Sequence, residues 1–237
     1  MSQMNWDREV DVLVVGTGNG GLTAAVCNWE MGTRDVLIIE KQDKVGGTSA
    51  TSGGGIWIPN SHYAKELGAE DSPEDAKAYL MNTLFGEDVP EEMIDIYLEK
   101  APEMLKYLHD RTDVRYESLA EYPDYYTNME GAREGHRSLE PAPIMASELG
   151  ANWKNMTWTH FMMRMFNRIH FTQVEAHLLM VQLPGWKKLL ARLMWDYIRD
   201  IPWRLKTPIS RRLACGSAGV ARLYLSVLKR EIPLEFN

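Results

Sequence analysis

Gly16-Thr17-Gly18-Asn19-Gly20-Gly21 follows a short β-branched run, Val10–Val15 (VDVLVV), and opens into a small-residue stretch, Leu22–Met31. No other feature of this chain restricts its fold as strongly. A nearly continuous apolar run of that length is expected of a strand buried on both faces. In the Gly16-x-Gly18-x-x-Gly21 pattern the first glycine permits a tight turn. The second lets the backbone approach a pyrophosphate, and the third lets helix and sheet pack closely. The helix start then offers unpaired N–H groups and the positive dipole end to phosphates. Gly32 reads as the helix C-cap. A second apolar run, Asp35–Ile39, ends at Glu40, 19 residues beyond Gly21. A carboxylate there would accept hydrogen bonds from ribose hydroxyls. Glycines that merely cap an ordinary βα turn would leave Glu40 unexplained. The order strand, turn, helix, strand and terminal acid predicts a βαβ dinucleotide-binding unit, the start of a Rossmann-like α/β fold.

The stretch after Glu40 separates the two common dinucleotides. A nicotinamide-binding unit continues into another helix and strand. Here Lys41 leads instead to Gly46-Gly47-Thr48-Ser49 and then Ser52-Gly53-Gly54-Gly55. Paired glycines and hydroxyls supply N–H and O–H donors for a second side of a pyrophosphate, and glycine is needed where a flat ring leaves no room for Cβ. Ile56-Trp57-Ile58-Pro59 on the end of this run argues for a packed segment rather than a solvated linker. The cofactor expected is FAD. Its candidate ligands are Gly16, Gly18, Asn19, Gly20, Gly21, Glu40, Lys41, Gly46, Gly47, Thr48, Ser49, Ser52, Gly53 and Gly54. Residues 46–60 carry too much glycine for a helix or strand and are expected to form a loop.

Downstream, Ser72-Pro73-Glu74-Asp75 is a helix start, with a cap, a proline at the first helical position and acids at the positive dipole end. A further helix is expected from Glu91 to Arg111, interrupted by Pro102. Residues 113–150, rich in Tyr, Pro and Glu, read as irregular. From Trp153 onward the composition turns to Trp, Met and Arg, and the charge turns with it. Of 26 Lys+Arg and 33 Asp+Glu, residues 151–237 hold 14 and 5, net +9, leaving 12 and 28, net −16, in residues 1–150. Such a split suggests that the second part faces something anionic, or the first part itself. The organisation expected is an FAD-binding part with a helical insertion (1–150), a basic Trp/Met-rich helical segment (151–210) and a return to the FAD-binding domain (211–237).

The run GTGNGG…IIEK…GGTSATSGGGIWIPN resembles the N-terminal signature of 3-ketosteroid Δ1-dehydrogenases, within the wider fumarate reductase/succinate dehydrogenase flavoprotein group. The resemblance continues through Tyr122-Pro123-Asp124-Tyr125-Tyr126, Gly135-His136-Arg137-Ser138 with Glu140-Pro141, and Ala221-Arg222-Leu223…Ile232-Pro233-Leu234. It is loose over 151–210. It implies FAD-dependent removal of a hydride from C1 and a proton from C2 of a steroid-like 3-ketone. It also implies that Tyr125, first tyrosine of the Asp-Tyr-Tyr motif, sits beside the catalytic base. A phenol titrating near ~10 is a poor base at neutrality, so a neighbouring hydroxyl that stabilises the anion helps. Aromatic wall residues are the competing reading of Tyr122, Tyr125 and Tyr126. In the family the base tyrosine, the carbonyl-binding groups and later FAD-binding strands belong to a C-terminal portion not contained in residues 1–237. A Rossmann-type sheet with only its first strands leaves an edge unpaired and an apolar face uncovered. The expectation is the N-terminal part of a longer enzyme, either a truncated product or a split subunit whose partner is a separate chain supplying that half. The alternatives are another fumarate reductase-like flavoprotein with a different substrate, or a non-catalytic FAD- or membrane-binding remnant.

In Trp186–Ile201 (WKKLLARLMWDYIRDI), Trp186, Leu189, Leu190, Leu193, Met194, Tyr197, Ile198 and Ile201 fall on one helical face, opposite Lys187, Lys188, Arg192 and Arg199. Together with Trp203, Arg204 and Lys206 this suits a helix at a membrane interface, making 186–206 a candidate membrane contact. Packing against the rest of the protein is the competing reading. No run approaches the ~18 apolar residues of a spanning helix, and Met1–Val10 has no apolar leader core. Two cysteines, Cys27 and Cys215, fit a reducing cytoplasm, and the 186–206 helix adds the expectation of a peripheral position at the inner membrane face. No HExxH or CxxC motif suggests a metal, and no recognition motif suggests nucleic acid. His170 and His177 read as surface or packing residues. Cys215–Gly219 reads as a helix start near the cofactor.

Overall fold

The structure is a computed structural model that describes residues 6–237. The reading of the N-terminus as leader-free rests partly on residues 1–5, which lie outside the described residues.

The expected βαβ unit is present. Strand β1 (Val12–Val15) leads into helix α1 (Asn19–Glu30), and β2 (Val36–Glu40) returns parallel to β1, with Val12 opposite Val36 and Val15 opposite Ile39. Helix α1 begins within the glycine run, three residues before Leu22. Val14, Val36 and Ile38 point into one core with Leu22, Ala25 and Val26 of that helix. The other face of β1 is not buried as its sequence predicts: Leu13 is 52% exposed and Val15 75%. Among the described residues no strand pairs with the outer edge of β1.

Residues 46–60 are more ordered than expected, forming a short helix α2 (Gly47–Thr51) and a strand β3 (Ile56–Trp57). The glycines are spent on positive φ at Gly46 (+115°), Gly47 (+49°) and Gly54 (+72°). These let the chain turn into and out of one helical turn, so high glycine content marks special backbone geometry rather than looseness. After α3 (His62–Glu66), the expected helix start at Ser72 opens α4 (Pro73–Thr83), with Ser72 Oγ accepting from the Asp75 N–H. Helix α5 (Glu91–Arg111) is continuous, with Pro102 accommodated rather than breaking it. Ile94, Ala101, Leu105 and Leu108 bury one face of α5, and that packing outweighs the missing hydrogen bond at proline.

The stretch expected to be irregular contains β4 (Tyr116–Ser118), β5 (Ser138–Pro141) and β6 (Ile144–Met145). Strand β5 is central to an antiparallel sheet β3-β5-β4, with Leu139 opposite both Ile56 and Ser118. These strands are two to four residues long, too short for an alternating pattern to show in sequence. The basic segment is built from a hairpin, β7 (Arg164–Met165) and β8 (Ile169–His170), and helices α6 (Gln173–Val181), α7 (Trp186–Arg199) and α8 (Ile201–Arg204). The helix expected over Trp186–Ile201 stops before Ile201. Pro202 would collide with the preceding turn, so the chain bends at Asp200 (φ −82°, ψ 56°) and restarts. The freed Ile198 carbonyl accepts from Arg204 Nη2 at 2.7 Å.

Strand β9 (Arg212–Leu213) pairs with β6 and hands the chain to α9 (Cys215–Lys229), whose residues 215–221 are all buried. It packs against α1 and α2, and β10 (Leu234–Phe236) then pairs parallel with β2, giving the order β1-β2-β10. The acidic and basic parts meet here: Arg230 pairs with Glu30 and Lys229 with Asp113. The charge asymmetry is thus partly internal.

Candidate functional site

The glycine turn is held by one residue that sequence reasoning passed over. Thr17 is fully buried. Its N–H donates to Glu40 Oε2 at 2.9 Å and its hydroxyl to the same oxygen at 2.5 Å, while its Oγ1 accepts from the Gly46 N–H at 3.0 Å. One hydroxyl therefore ties the glycine turn, the terminal acid and the second glycine pair together. Glu40 Oε1 accepts from the Gln42 N–H at 3.0 Å. Burial alone would push the Glu40 carboxyl up. Hydrogen bonds from Thr17, Gln42 and the Lys41 backbone outweigh it, and the acid sits below its ordinary range. Each carboxylate oxygen accepts about two hydrogen bonds. Oε2 is filled by Thr17, so Oε1 is the atom with room for a further donor.

The other predicted ligands gather around this knot. Gly16 has φ +95° and donates to the Ile39 carbonyl at 2.7 Å, closing the turn. A Cβ on Gly21 would lie 2.1 Å from the Gly16 carbonyl oxygen, so helix and turn touch as the motif requires. Gly18 caps α1 in an extended conformation with no side-chain cap bond. The Asn19 N–H meets Ser49 Oγ at 3.1 Å, joining α1 to α2. Asn19 Oδ1 is buried without a partner. Gly20, Lys41 and Thr48 are exposed, and Gly47 is half-buried at the start of α2. Ser52 Oγ accepts from the Gly54 N–H at 3.0 Å, and its carbonyl accepts from Gly216 at 3.0 Å. A Cβ on Gly216 would fall 2.1 Å from the Ser49 carbonyl oxygen. That close approach packs the start of α9, at Cys215 as expected, onto the 49–54 segment. Gly216 carried no sequence signal beyond its small-residue surroundings.

An uncapped helix start and a glycine whose backbone is open fit a dinucleotide phosphate, and an orphaned amide oxygen and a carboxylate with one free lone pair fit ribose hydroxyls. From Ser52–Gly55 a cleft of about 640 Å³ extends to a wall that includes Trp57, Tyr79, Tyr122, Tyr125 and Tyr126. Met163 and Gln173 also line it, and the Gln173 amide lies 3.0 Å from where a Gly55 Cβ would be. Tyr125 is 83% exposed at this wall. Tyr122 is held above the usual phenol range by its hydrogen bond to Tyr125 and by burial.

The tyrosine wall stands on a buried ion-pair cluster. Asp124, just before Tyr125, accepts from Trp57 Nε1 at 2.7 Å, the Arg133 N–H at 3.0 Å and Arg137 Nη1 at 2.9 Å. Arg137 is 1% exposed and also grips Asp71 through Nε and Nη2 at 2.9 and 2.7 Å. Burial disfavours its charge, but the two carboxylates outweigh that and keep it cationic. Asp124 and Arg137 thus fix the loop that presents Tyr125. Nearby, the fully buried Glu140 accepts from the Gln173 and Val174 N–H groups at the start of α6, and burial raises its pKa.

The other sequence candidates resolve as packing. His170 is buried and neutral, its pKa pushed down to about 3 by burial and by Arg164 and Arg212; His177 is exposed. Cys27 and Cys215 are free thiols. On α7, Leu189 and Leu193 face inward onto Ile169, so only part of the face expected to meet a membrane is covered by the hairpin and α6. Trp195, Ile198, Ile201 and Leu205 remain exposed. Among the described residues no helix is long and apolar enough to cross a membrane.

The family described as FAD binding domain matches residues 11–237. The 3-oxosteroid 1-dehydrogenase of Comamonas testosteroni is 33% identical over 232 residues, 98% of this chain and 40% of that protein. The 4-oxocyclohexanecarboxylate 2-dehydrogenase of Sinomonas cyclohexanicum is 37% identical over 131 residues, 55% of this chain and 22% of that protein. The crystal structure of 3-ketosteroid Δ1-dehydrogenase from Sterolibacterium denitrificans, in complex with 1,4-androstadiene-3,17-dione, superposes with a TM-score of 0.89 at 36% identity. It covers 96% of this chain and 40% of that one. The chain spans about 40% of the length of these steroid-dehydrogenase relatives. This chain belongs to the FAD binding domain family of flavoproteins, and its cofactor is FAD.

Proposed function

We propose that this chain forms the FAD-binding part of an oxidoreductase that desaturates a cyclic ketone, with a 3-oxosteroid as the leading substrate class. The observation that carries the reading is the cleft running from the Ser52–Gly55 segment to the tyrosine wall, whose roughly 640 Å³ falls within the range of small-molecule pockets. FAD, when bound, supplies the hydride-accepting chemistry. The proposed cofactor contacts are the backbone at Gly16, Gly18, Asn19, Gly20 and Gly21 for phosphate, and Glu40 Oε1 with the Lys41 backbone for ribose. Gly46, Gly47, Thr48, Ser49, Ser52, Gly53 and Gly54 would serve the second side of the pyrophosphate and the ring. This chain's own proton chemistry rests on Tyr125. A C2 proton next to a ketone is acidic because the carbonyl delocalises the charge left behind. Tyr125, held at the wall by Asp124 and Arg137, would donate a hydrogen bond to the base that takes it. That base and the ketone-binding groups would come from polypeptide beyond the span shared with the relatives, in the same or a separate chain. It would cover the open face at Leu13 and Val15. The exposed crest at Trp195, Ile198, Ile201 and Leu205, beside Arg199 and Lys206, is the proposed contact with an inner membrane surface from which an apolar substrate could enter.

Reconstitution with the complementary polypeptide tests this reading. A 3-oxosteroid without electron acceptor should bleach the flavin absorbance, and Tyr125→Phe should lower kcat and move its pH profile upward. The similarity to the cyclohexanone-acid enzyme favours a second reading, a smaller ring ketone. Bleaching by 4-oxocyclohexanecarboxylate but not by steroid would select it, and bleaching by neither would refute both.

A further inference from the structure

The segment from the β7–β8 hairpin to β9, with Met145 of β6, lines an open cavity of about 470 Å³ that shares no lining residue with the cleft. Its apolar floor includes Ile169, Leu193 and Trp203, and its polar lining includes four arginines, Arg199, Arg204, Arg211 and Arg212, against Asp196 and Asp200. Arg199 pairs with Asp196 at 2.9 Å, Arg211 with Asp200, and Arg212 with Glu175 at 2.8 Å. Among the described residues Arg204 has no carboxylate partner. Its Nη2 donates to the Ile198 carbonyl, and its guanidinium lies 5.5 Å from the Tyr197 ring centroid. Arg211 lies 5.5 Å from the Trp203 ring centroid. Both heads are therefore pre-oriented by stacking, and the Nε–H of each has no acceptor.

His170 adds a group of opposite kind. The Ser210 hydroxyl donates to the Arg212 carbonyl at 2.9 Å, so its single hydrogen is spent. The 3.1 Å contact between Ser210 Oγ and His170 Nδ1 must then run from Nδ1–H to oxygen. That tautomer leaves Nε2 as a lone pair, and Nε2 is buried without a partner. The cavity thus combines surplus planar N–H donors with one buried acceptor in its wall.

We propose that this cavity binds a monoprotonated phosphate group, with Arg204 and Arg211 donating to its oxygens and His170 Nε2 accepting from its P–OH. Arginine forks match phosphate geometry, and a protonated phosphate also supplies the hydrogen that Nε2 lacks. The same chemistry is offered by a free phosphate or phosphomonoester and by a lipid headgroup. Ile198 and Ile201, exposed close to Arg204 in the chain, leave either route open.

The test is calorimetric titration of the full chain with inorganic phosphate, ionic strength held constant with sodium chloride. The wild type should bind at one site, Arg204→Gln should bind at least tenfold more weakly, and Arg204→Lys, which keeps charge but loses the fork, should fall between. Unchanged melting and FAD titration would show that the variants are folded. Sedimentation with phosphatidylcholine vesicles, with and without phosphatidic acid, separates the sources. Capture that depends on phosphatidic acid and is reversed by inorganic phosphate identifies a headgroup. Phosphate binding without such capture identifies a soluble ligand. No phosphate binding above the chloride background, or equal binding by Arg204→Gln, overturns the proposal.

Discussion

Gly18 and Gly21 lie three residues apart in one motif, yet the structure assigns them different physical tasks, and two alanine substitutions separate them. At Gly21 an added Cβ would meet the Gly16 carbonyl oxygen at 2.1 Å, where ordinary contact begins at 3.4 Å. Either α1 or the turn must move by more than an ångström, and both belong to the packed core around Val14 and Leu22. Overpacking of this kind costs ~1–3 kcal/mol, against which alanine regains at most ~1 kcal/mol of helix propensity. From the midpoint of that cost, about 2 kcal/mol, the net loss of about 1–2 kcal/mol corresponds to a fall in Tm of ~2–8 °C for a domain of this size. At Gly18, φ is −68° and ψ 175°, which alanine adopts freely, and among the described residues the only atom within 4 Å of an added Cβ is Ser49 Oγ at 3.3 Å, a hydroxyl able to rotate. Gly18→Ala should therefore melt within ~0.5 kcal/mol of wild type. If the backbone here approaches a pyrophosphate, the same methyl should weaken FAD at least tenfold, about 1.4 kcal/mol. Circular-dichroism melting of the apo chain and flavin-fluorescence titration read the two effects separately. Wild-type FAD affinity in Gly18→Ala would refute the cradle, and an unchanged Tm in Gly21→Ala would refute the packing argument.

Glu40 has a lowered pKa in the folded state, so its contribution is full above the unfolded-state value near ~4.3 and fades as pH falls through the folded one. Glu40→Gln should melt below wild type at neutrality, and the gap should close on acidification; a gap independent of pH would contradict the assignment. Arg137→Leu leaves the buried Asp124 without its cation and Asp71 with only Arg133 at 3.5 Å, and removing one partner of a buried pair typically costs ~3–5 kcal/mol. Cleavage within residues 119–136 by a protease should accelerate, which limited proteolysis and mass spectrometry would show. For the membrane contact, Leu193→Asp is uninformative because Leu193 is buried and its loss opens the α7 packing. Replacing exposed Trp195, Ile198 and Leu205 by serine should leave the melt unchanged and abolish vesicle co-sedimentation; persistent binding would exclude this crest.

An element of this fold is legible in the sequence to the extent that its signal is local. The βαβ unit is, because turn, helix cap and strand end each leave a mark within a few residues: Gly16 at positive φ, Gly21 under the Gly16 carbonyl, Glu40 closing β2. So is the Ser72–Pro73 helix start. The small antiparallel sheet is not. Its strands are held by partners far along the chain, such as Ile56 with Leu139, and their few residues show no alternation. Thr17 illustrates the same limit within the site. It occupies a variable position of the glycine motif, and its role exists only once Glu40 and Gly46 are brought to it.

The amphipathic helix carries the same limit one step further. Its periodicity correctly locates an apolar stripe, but a stripe specifies a face and not what covers it. Here the burial divides: Leu189 and Leu193 meet Ile169, whereas Ile198 of the same stripe, and Trp195 off it, remain exposed. The break at Asp200 then turns Arg204 back over the end of α7 and onto Tyr197. Pro202, at the second position of the restarted helix, is what brings that guanidinium to the cavity. Pro202→Ala should therefore let α7 extend through Ile201, raising helical ellipticity while weakening phosphate binding. If both remain at wild-type values, the bend owes nothing to the proline.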